Sequence, residues 1–104
     1  MTDKIVVLST CASEEEAGRL ARSLVEQHLA ACVNVVSGIQ SYYHWQGNVE
    51  QASEFLLVIK TSRARFAELC AALEQAHSYE VPEVIALPIV DGAPNYLNWV
   101  GSNL

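Results

Sequence analysis

Residues 32–61 read CVNVVSGIQSYYHWQGNVEQASEFLLVIKT. Branched and aromatic side chains crowd this stretch, and Gly47-Asn48 interrupts it near the middle. Such side chains suit a pleated strand, and a Gly-Asn pair supplies the positive φ that a tight hairpin demands. Two antiparallel strands joined at residues 46–48 are therefore predicted, with arms of about 10 to 14 residues against the usual five or six. Arms so long outrun a small domain, so something beyond the subunit is expected to cover their tips. Along the first arm Tyr43 and Trp45 share one face while Tyr42 and His44 share the other. Aromatic anchors at a strand tip point to a subunit interface.

Working outward, the apolar run Ile5–Leu8 predicts a strand covered on both faces. Ser13 and Glu16 then stand at the spacing of a capping box, in which the hydroxyl takes the amide three residues on and the carboxylate reaches back. The helix they open carries Ala17, Leu20, Ala21, Leu24, Val25 and His28 at helical spacing and is expected to end near Leu29. Beyond the hairpin, Ser62 is placed to cap a second helix with a stripe of Phe66, Leu69, Cys70, Leu73 and Ala76. Pro82 opens EVIALPIV, a last strand in which Pro88 is tolerated only at an edge. Asp91-Gly92 turns the chain, and Pro94 starts a short terminal helix bearing Tyr96, Leu97 and Trp99.

Strand, helix, strand, strand, helix, strand is the ferredoxin-like βαββαβ order of an α+β domain. Right-handed crossovers place both helices on one face of a four-stranded antiparallel sheet, so the other face needs cover. One domain over residues 1–104 accounts for the length. Hydrophobic residues make up 51% of the chain and charged ones only 17%. That leaves little polar surface for a small monomer and favours an oligomer.

Six basic against twelve acidic residues give a net charge of −6, with no cluster of Lys or Arg to hold a phosphate backbone. Nucleic acid is thereby disfavoured and cations are favoured. No apolar stretch reaches the roughly 20 residues of a membrane helix, and the N-terminus meets three glutamates soon after its apolar run. A soluble cytoplasmic protein is expected. Cys11, Cys32 and Cys70 are odd in number and widely spaced, which suits neither a disulfide framework nor a zinc knuckle.

HSYEVPE, residues 77–83, gathers His77, Tyr79, Glu80 and Glu83. Imidazole with carboxylate suits a borderline metal, with divalent copper highest in affinity. The same histidine also suits the negative end of a helix, with Tyr79 packed and the glutamates in water. Cys32 offers a thiolate or a small buried hydrophobe. Cys70 fits a core stripe, and Cys11, expected in a loop before a helix N-terminus, is the thiol whose pKa that position would lower. Lys60, Glu54, Arg63 and Arg65 admit a cross-sheet pair or an anion contact.

AACVN at 30–34, SYYHWQG at 41–47, EFLLVIKT at 54–61, HSYEVPE at 77–83 and NYLNW at 95–99 together resemble the CutA family of divalent-cation tolerance proteins, over essentially the whole chain. The resemblance implies a homotrimer of ferredoxin-like subunits, similar to the PII-type signalling trimers, and a link to copper and other divalent cations. Where some members have a cysteine closing the first strand and two histidines before Pro-Tyr, this chain has Ser9, Ala76 and Ser78, with Cys11 the nearest thiol. The expected metal ligands are His77, Glu83, Cys32 and Cys11, and the expected ion is copper(II) or another divalent cation. Organic cofactors are not expected. Three functions follow: a non-enzymatic metal-responsive trimer relaying to a protein partner, a PII-like adaptor binding a small ligand or protein between subunits, and an enzyme using His77, Tyr79 and Glu80 for acid–base chemistry. The first is preferred, because no nucleophile–base pair, phosphate loop or cofactor fingerprint is present.

Overall fold

In the computed structural model, which describes residues 2–104, β1 runs from Lys4 to Cys11 and buries every second side chain, Ile5, Val7, Ser9 and Cys11. The strand is longer than its apolar core because β3 pairs with it along the whole length, from Lys4 opposite Ser62 to Cys11 opposite Phe55. Helix α1 (Glu14–Glu26) starts at Ser13, whose hydroxyl accepts from the Glu16 amide at 3.1 Å. Its buried face is Ala17, Leu20 and Leu24, while Val25 and His28 are exposed. His28 takes a left-handed φ of 58° and ends the helix. Its amide bonds the Val25 carbonyl and the Leu29 amide bonds that of Leu24, each at 3.0 Å, the pairing of a Schellman cap.

Strands β2 (Cys32–Trp45) and β3 (Asn48–Ser62) form the long hairpin, 14 and 15 residues. Gln46 (φ 50°) and Gly47 (φ 82°) occupy the turn, and Asn48 already pairs with Trp45. The turn thus sits one residue earlier than Gly47-Asn48, because both central positions of this primed turn need positive φ. A second irregularity lies between Val36, opposite Leu56, and Ile39, opposite Glu54. Ser37 and Gly38 together face one residue, a bulge that Gly38 accommodates at φ 77°. The extra residue resets the alternation, so that Ile39, Tyr43 and Trp45 come onto the same sheet face as Val36 and Glu54.

A single 3₁₀ turn, Arg63–Arg65, precedes α2 (Phe66–Ala76). Ser62 makes no capping bond with its side chain, since the 3₁₀ turn separates it from the free amides of α2. Leu69 and Leu73 are fully buried, whereas Cys70 is half-buried and Ala76 exposed. Strand β4 covers only Ile85–Pro88, shorter than EVIALPIV suggests, because β1 offers it partners only from Ile5 to Leu8. Pro88 closes β4 at the sheet edge, where a missing donor is harmless. Helix α3 (Pro94–Ser102) carries Pro at its start and stacks Tyr96 on Trp99 at 5.7 Å.

The sheet order is β2-β3-β1-β4, all neighbours antiparallel. Ile5, Val7, Leu57 and Ile59 from one sheet face pack with Leu20 and Leu24 of α1 and Leu69 and Leu73 of α2 in a single core. Each such fully buried aliphatic side chain contributes about 1.5–3 kcal/mol relative to exposure. This is the ferredoxin-like plan, with both helices on one side. The other face presents Val36, Ile85 and Leu87, which are 41%, 50% and 45% exposed. The hairpin stretches the chain to 45 × 26 × 23 Å.

Candidate functional site: the 77–84 loop and the hairpin cleft

Helix α2 stops at His77, whose backbone turns extended while its amide still bonds the Leu73 carbonyl at 2.9 Å. The imidazole is sealed from solvent and lies 2.8 Å by Nε2 from the Thr10 carbonyl, while the Tyr79 amide donates to Nδ1 at 3.0 Å. An amide donating to Nδ1 requires a lone pair there, so the proton resides on Nε2 and is given to Thr10. Both ring nitrogens are occupied in tying the loop to the end of β1. Neither is free for a metal.

Beside the ring, the buried Glu16 carboxylate accepts from the Ser78 amide at 2.8 Å and from the Ser78 hydroxyl at 2.9 Å. Only the serine half of the capping box therefore forms. The glutamate turns instead to a loop 62 residues away. Burial raises the Glu16 pKa, but the two Ser78 donors, together with His77 and the Ala12 backbone, lower it, and the net shift is downward. Ser78, where the family resemblance has proline, can make these bonds because it retains a donating amide and adds a hydroxyl.

The Tyr79 ring lies 4.8 Å from that of His77, and its hydroxyl donates to Glu54 Oε2 at 2.6 Å. Burial first, then the Glu54 carboxylate, pushes the phenol pKa upward, so Tyr79 stays a donor. Glu54 is buried at the root of the hairpin. Between this loop and the hairpin lies a cleft of about 700 Å³, bordered by Tyr43, Trp45, Glu54, Tyr79, Glu80 and Glu83.

The four expected ligands are not brought together. Cys11 is fully buried at the end of β1 with its Sγ 3.7 Å from the Ser13 carbonyl, and burial followed by the Glu16 charge pushes its thiol pKa up, not down. Strand pairing with Phe55 carries Cys11 out of the loop assigned to it. Cys32 stands at the start of β2 opposite Lys60, and Glu83 is exposed on the cleft rim. Among the described residues no three His, Cys, Asp or Glu side chains converge on a point that could hold a metal. Within one chain the residues do not fit a copper centre. Lys60 bonds Asn34 Oδ1 rather than Glu54, and Arg65 pairs with Glu68 at 3.6 Å. Glu16 and Glu54, the two buried carboxylates of the site, carry no sequence mark of their role.

Sheet order, helix placement and an overlong hairpin flanked by a cleft define a ferredoxin-like α+β domain. The sequence profile of the family described as CutA1 divalent ion tolerance protein matches residues 5–103. The chain belongs to that family. It is 48% identical over 98 residues to the divalent-cation tolerance protein CutA of Thermus thermophilus, covering 94% of this chain and 95% of the relative. A solved structure from that organism superposes with a TM-score of 0.94 at 47% identity, covering 96% of this chain and 97% of that one. CutA from Xylella fastidiosa gives a TM-score of 0.96 at 36% identity, with 98% of each chain covered. The chloroplastic CutA of Arabidopsis thaliana is 48% identical over 92% of this chain, which spans about half (53%) of that longer relative.

Proposed function

We propose that the protein serves divalent-cation tolerance as a non-enzymatic homotrimer, with copper(II) or another divalent cation as the ion it responds to. The observation that carries this reading is the open sheet face. Val36, Ile85 and Leu87 lie half-exposed on the side opposite the helices, an apolar surface that a second copy of the chain would cover. The projecting hairpin, with Trp45 46% exposed, extends the surface available for that contact. A cytoplasmic location fits three free thiols, which a reducing compartment keeps unpaired. Because His77 is engaged and Cys11 buried, cation contact falls to the exposed carboxylates of Glu80 and Glu83 on the cleft rim.

A PII-like adaptor role is the second reading, and the cleft of about 700 Å³ favours it, since that size suits a small organic ligand. Acid–base catalysis finds less support: Tyr79 is held protonated and neither nitrogen of His77 is free to take a proton from a substrate. Native mass spectrometry with and without equimolar Cu(II) tests the main reading. A trimer mass with stoichiometric uptake that falls in Glu83→Gln supports it. A monomer at micromolar concentration refutes the assembly, and a trimer that takes up no Cu(II) removes copper from the reading.

A further inference from the structure

We propose that Glu54 and Lys60 form an ion pair between copies of the chain, the carboxylate of one meeting the ammonium of the next across the open sheet face. The inference rests on the trimer reading and names the two side chains that orient its contact. Along β3, Glu54, Leu56, Val58 and Lys60 alternate onto the face opposite the helices, while Leu57 and Ile59 enter the core. Lys60 lies in one row with Leu87, since both pair with Val6, and Glu54 lies one row beyond Leu56 and its partner Val36. The apolar patch therefore has an ammonium at one end and a carboxylate at the other, about 20 Å apart along the strand. A separation so large excludes a pair within one chain.

Neither charge is matched in the single chain. Glu54 is only 7% exposed and its Oε2 accepts from the Tyr79 hydroxyl, yet among the described residues no Lys, Arg or His nitrogen lies within 4.0 Å of its carboxylate. Lys60 is half-buried and bonds the neutral Asn34 Oδ1, again with no carboxylate within 4.0 Å among the described residues. The other cations are placed elsewhere: Lys4, Arg19, Arg22 and Arg65 pair with acids of their own chain, and Arg63 is exposed on the 3₁₀ turn, off the sheet. When a second copy covers the face, both ends lose water, and a charge buried without its opposite is costly. Setting Glu54 against Lys60 of the next copy matches both at once, whereas a register that lays like ends together is repelled. In a closed ring each copy offers its carboxylate to one neighbour and its ammonium to the other, so no charge is left over. The pair thus fixes which way round the copies meet, a choice that non-directional apolar contact leaves open.

The test is a charge swap in the full chain, read as native mass at micromolar concentration, with circular dichroism to confirm folding. Glu54→Lys and Lys60→Glu, each alone, set like charges against each other and should convert trimer to monomer. Both reversals in one chain restore opposite charges and should return the trimer mass. The swap keeps the local hydrogen bonds, because the Tyr79 hydroxyl can also accept and the Asn34 amide can also donate. Should a reversal not fold, the neutral variants Glu54→Gln and Lys60→Met carry the test by dilution in a fixed concentration of urea. Each should raise the half-dissociation concentration at least tenfold, and the double variant should exceed the larger single effect by little, as expected of two residues that act on each other. The proposal is overturned if folded single reversals keep the trimer mass, if the double reversal stays monomeric, or if the two neutral variants change nothing or multiply in effect. A wild-type protein of monomer mass overturns this inference together with the trimer reading, whereas a wild-type trimer with independent effects overturns this inference alone.

Discussion

Ser9 sits fully buried on the helix side of β1, and among the described residues its hydroxyl is the one sealed side-chain oxygen without a partner. Removing an unsatisfied buried hydroxyl relieves a desolvation penalty, so Ser9→Ala is expected to raise stability by about 1 kcal/mol in urea unfolding. Glu16 behaves in the opposite sense. Its folded pKa lies below its ordinary value of 4.5, so the stability it confers is complete above that value and is lost as pH falls through the depressed folded one. Glu16→Gln should cost about 1–3 kcal/mol near neutrality, with the gap from wild type closing under acid. A gap that shows no narrowing however far the pH falls below the ordinary value of 4.5 while the fold persists would remove the carboxylate's charge from the account. His77→Ala should lower stability by about 2–4 kcal/mol, because it empties a sealed ring position and strands the Thr10 carbonyl and the Tyr79 amide. A variant of unchanged melting temperature would return the histidine to the surface role of a ligand.

Among the elements, the hairpin owes its register to two glycines rather than to its apolar content. Gly47 at φ 82° completes the turn, and an added Cβ there meets no neighbour, so the penalty for Gly47→Ala is purely conformational. It should cost about 1–2 kcal/mol in unfolding free energy. Gln46 holds φ 50° without that freedom, and Gln46→Asn should recover a few tenths of a kcal/mol because asparagine tolerates the left-handed region. Gly38 at φ 77° permits the bulge that resets the face of β2. Without the extra residue Tyr43 and Trp45 would turn to the opposite side from Glu54, and the cleft would lose its aromatic wall. Helix α1 and strand β1 follow from spacing, since their buried positions repeat at the helical and strand periods. Strand β4 does not, because an apolar run announces burial without saying how many of its residues find a ladder partner.

At the scale of the molecule, one sheet face is closed by two helices and the other is left to half-exposed apolar side chains. Leu87→Asp should leave the helical and strand signals of circular dichroism intact, since the position is 45% exposed in one chain. It should nevertheless reduce the mass in light scattering from that of the proposed trimer to that of a monomer by placing a charge in the proposed contact. An unchanged mass would show that the copies do not meet on this face.

Length, turn chemistry and hydrophobic period by themselves determined the βαββαβ order, the two-helix face and the long hairpin. The element order and the hairpin turn arise from neighbours a few residues apart, where sterics and periodicity act directly on the written order of residues, and the two-helix face follows from the right-handed sense of the crossovers. The site was decided only by tertiary structure. Tyr79 reaches Glu54 across 25 residues, Ser78 reaches Glu16 across 62, and His77 reaches Thr10 across 67. The residues 77–83 announced histidine and acid together, which read either as a ligand set or as the end of a helix with the tyrosine packed. Folding used the histidine as the helix end and sealed the imidazole between a carbonyl and an amide, because a buried polar atom without a partner is costly and the nearest partners belonged to β1 and to the loop itself.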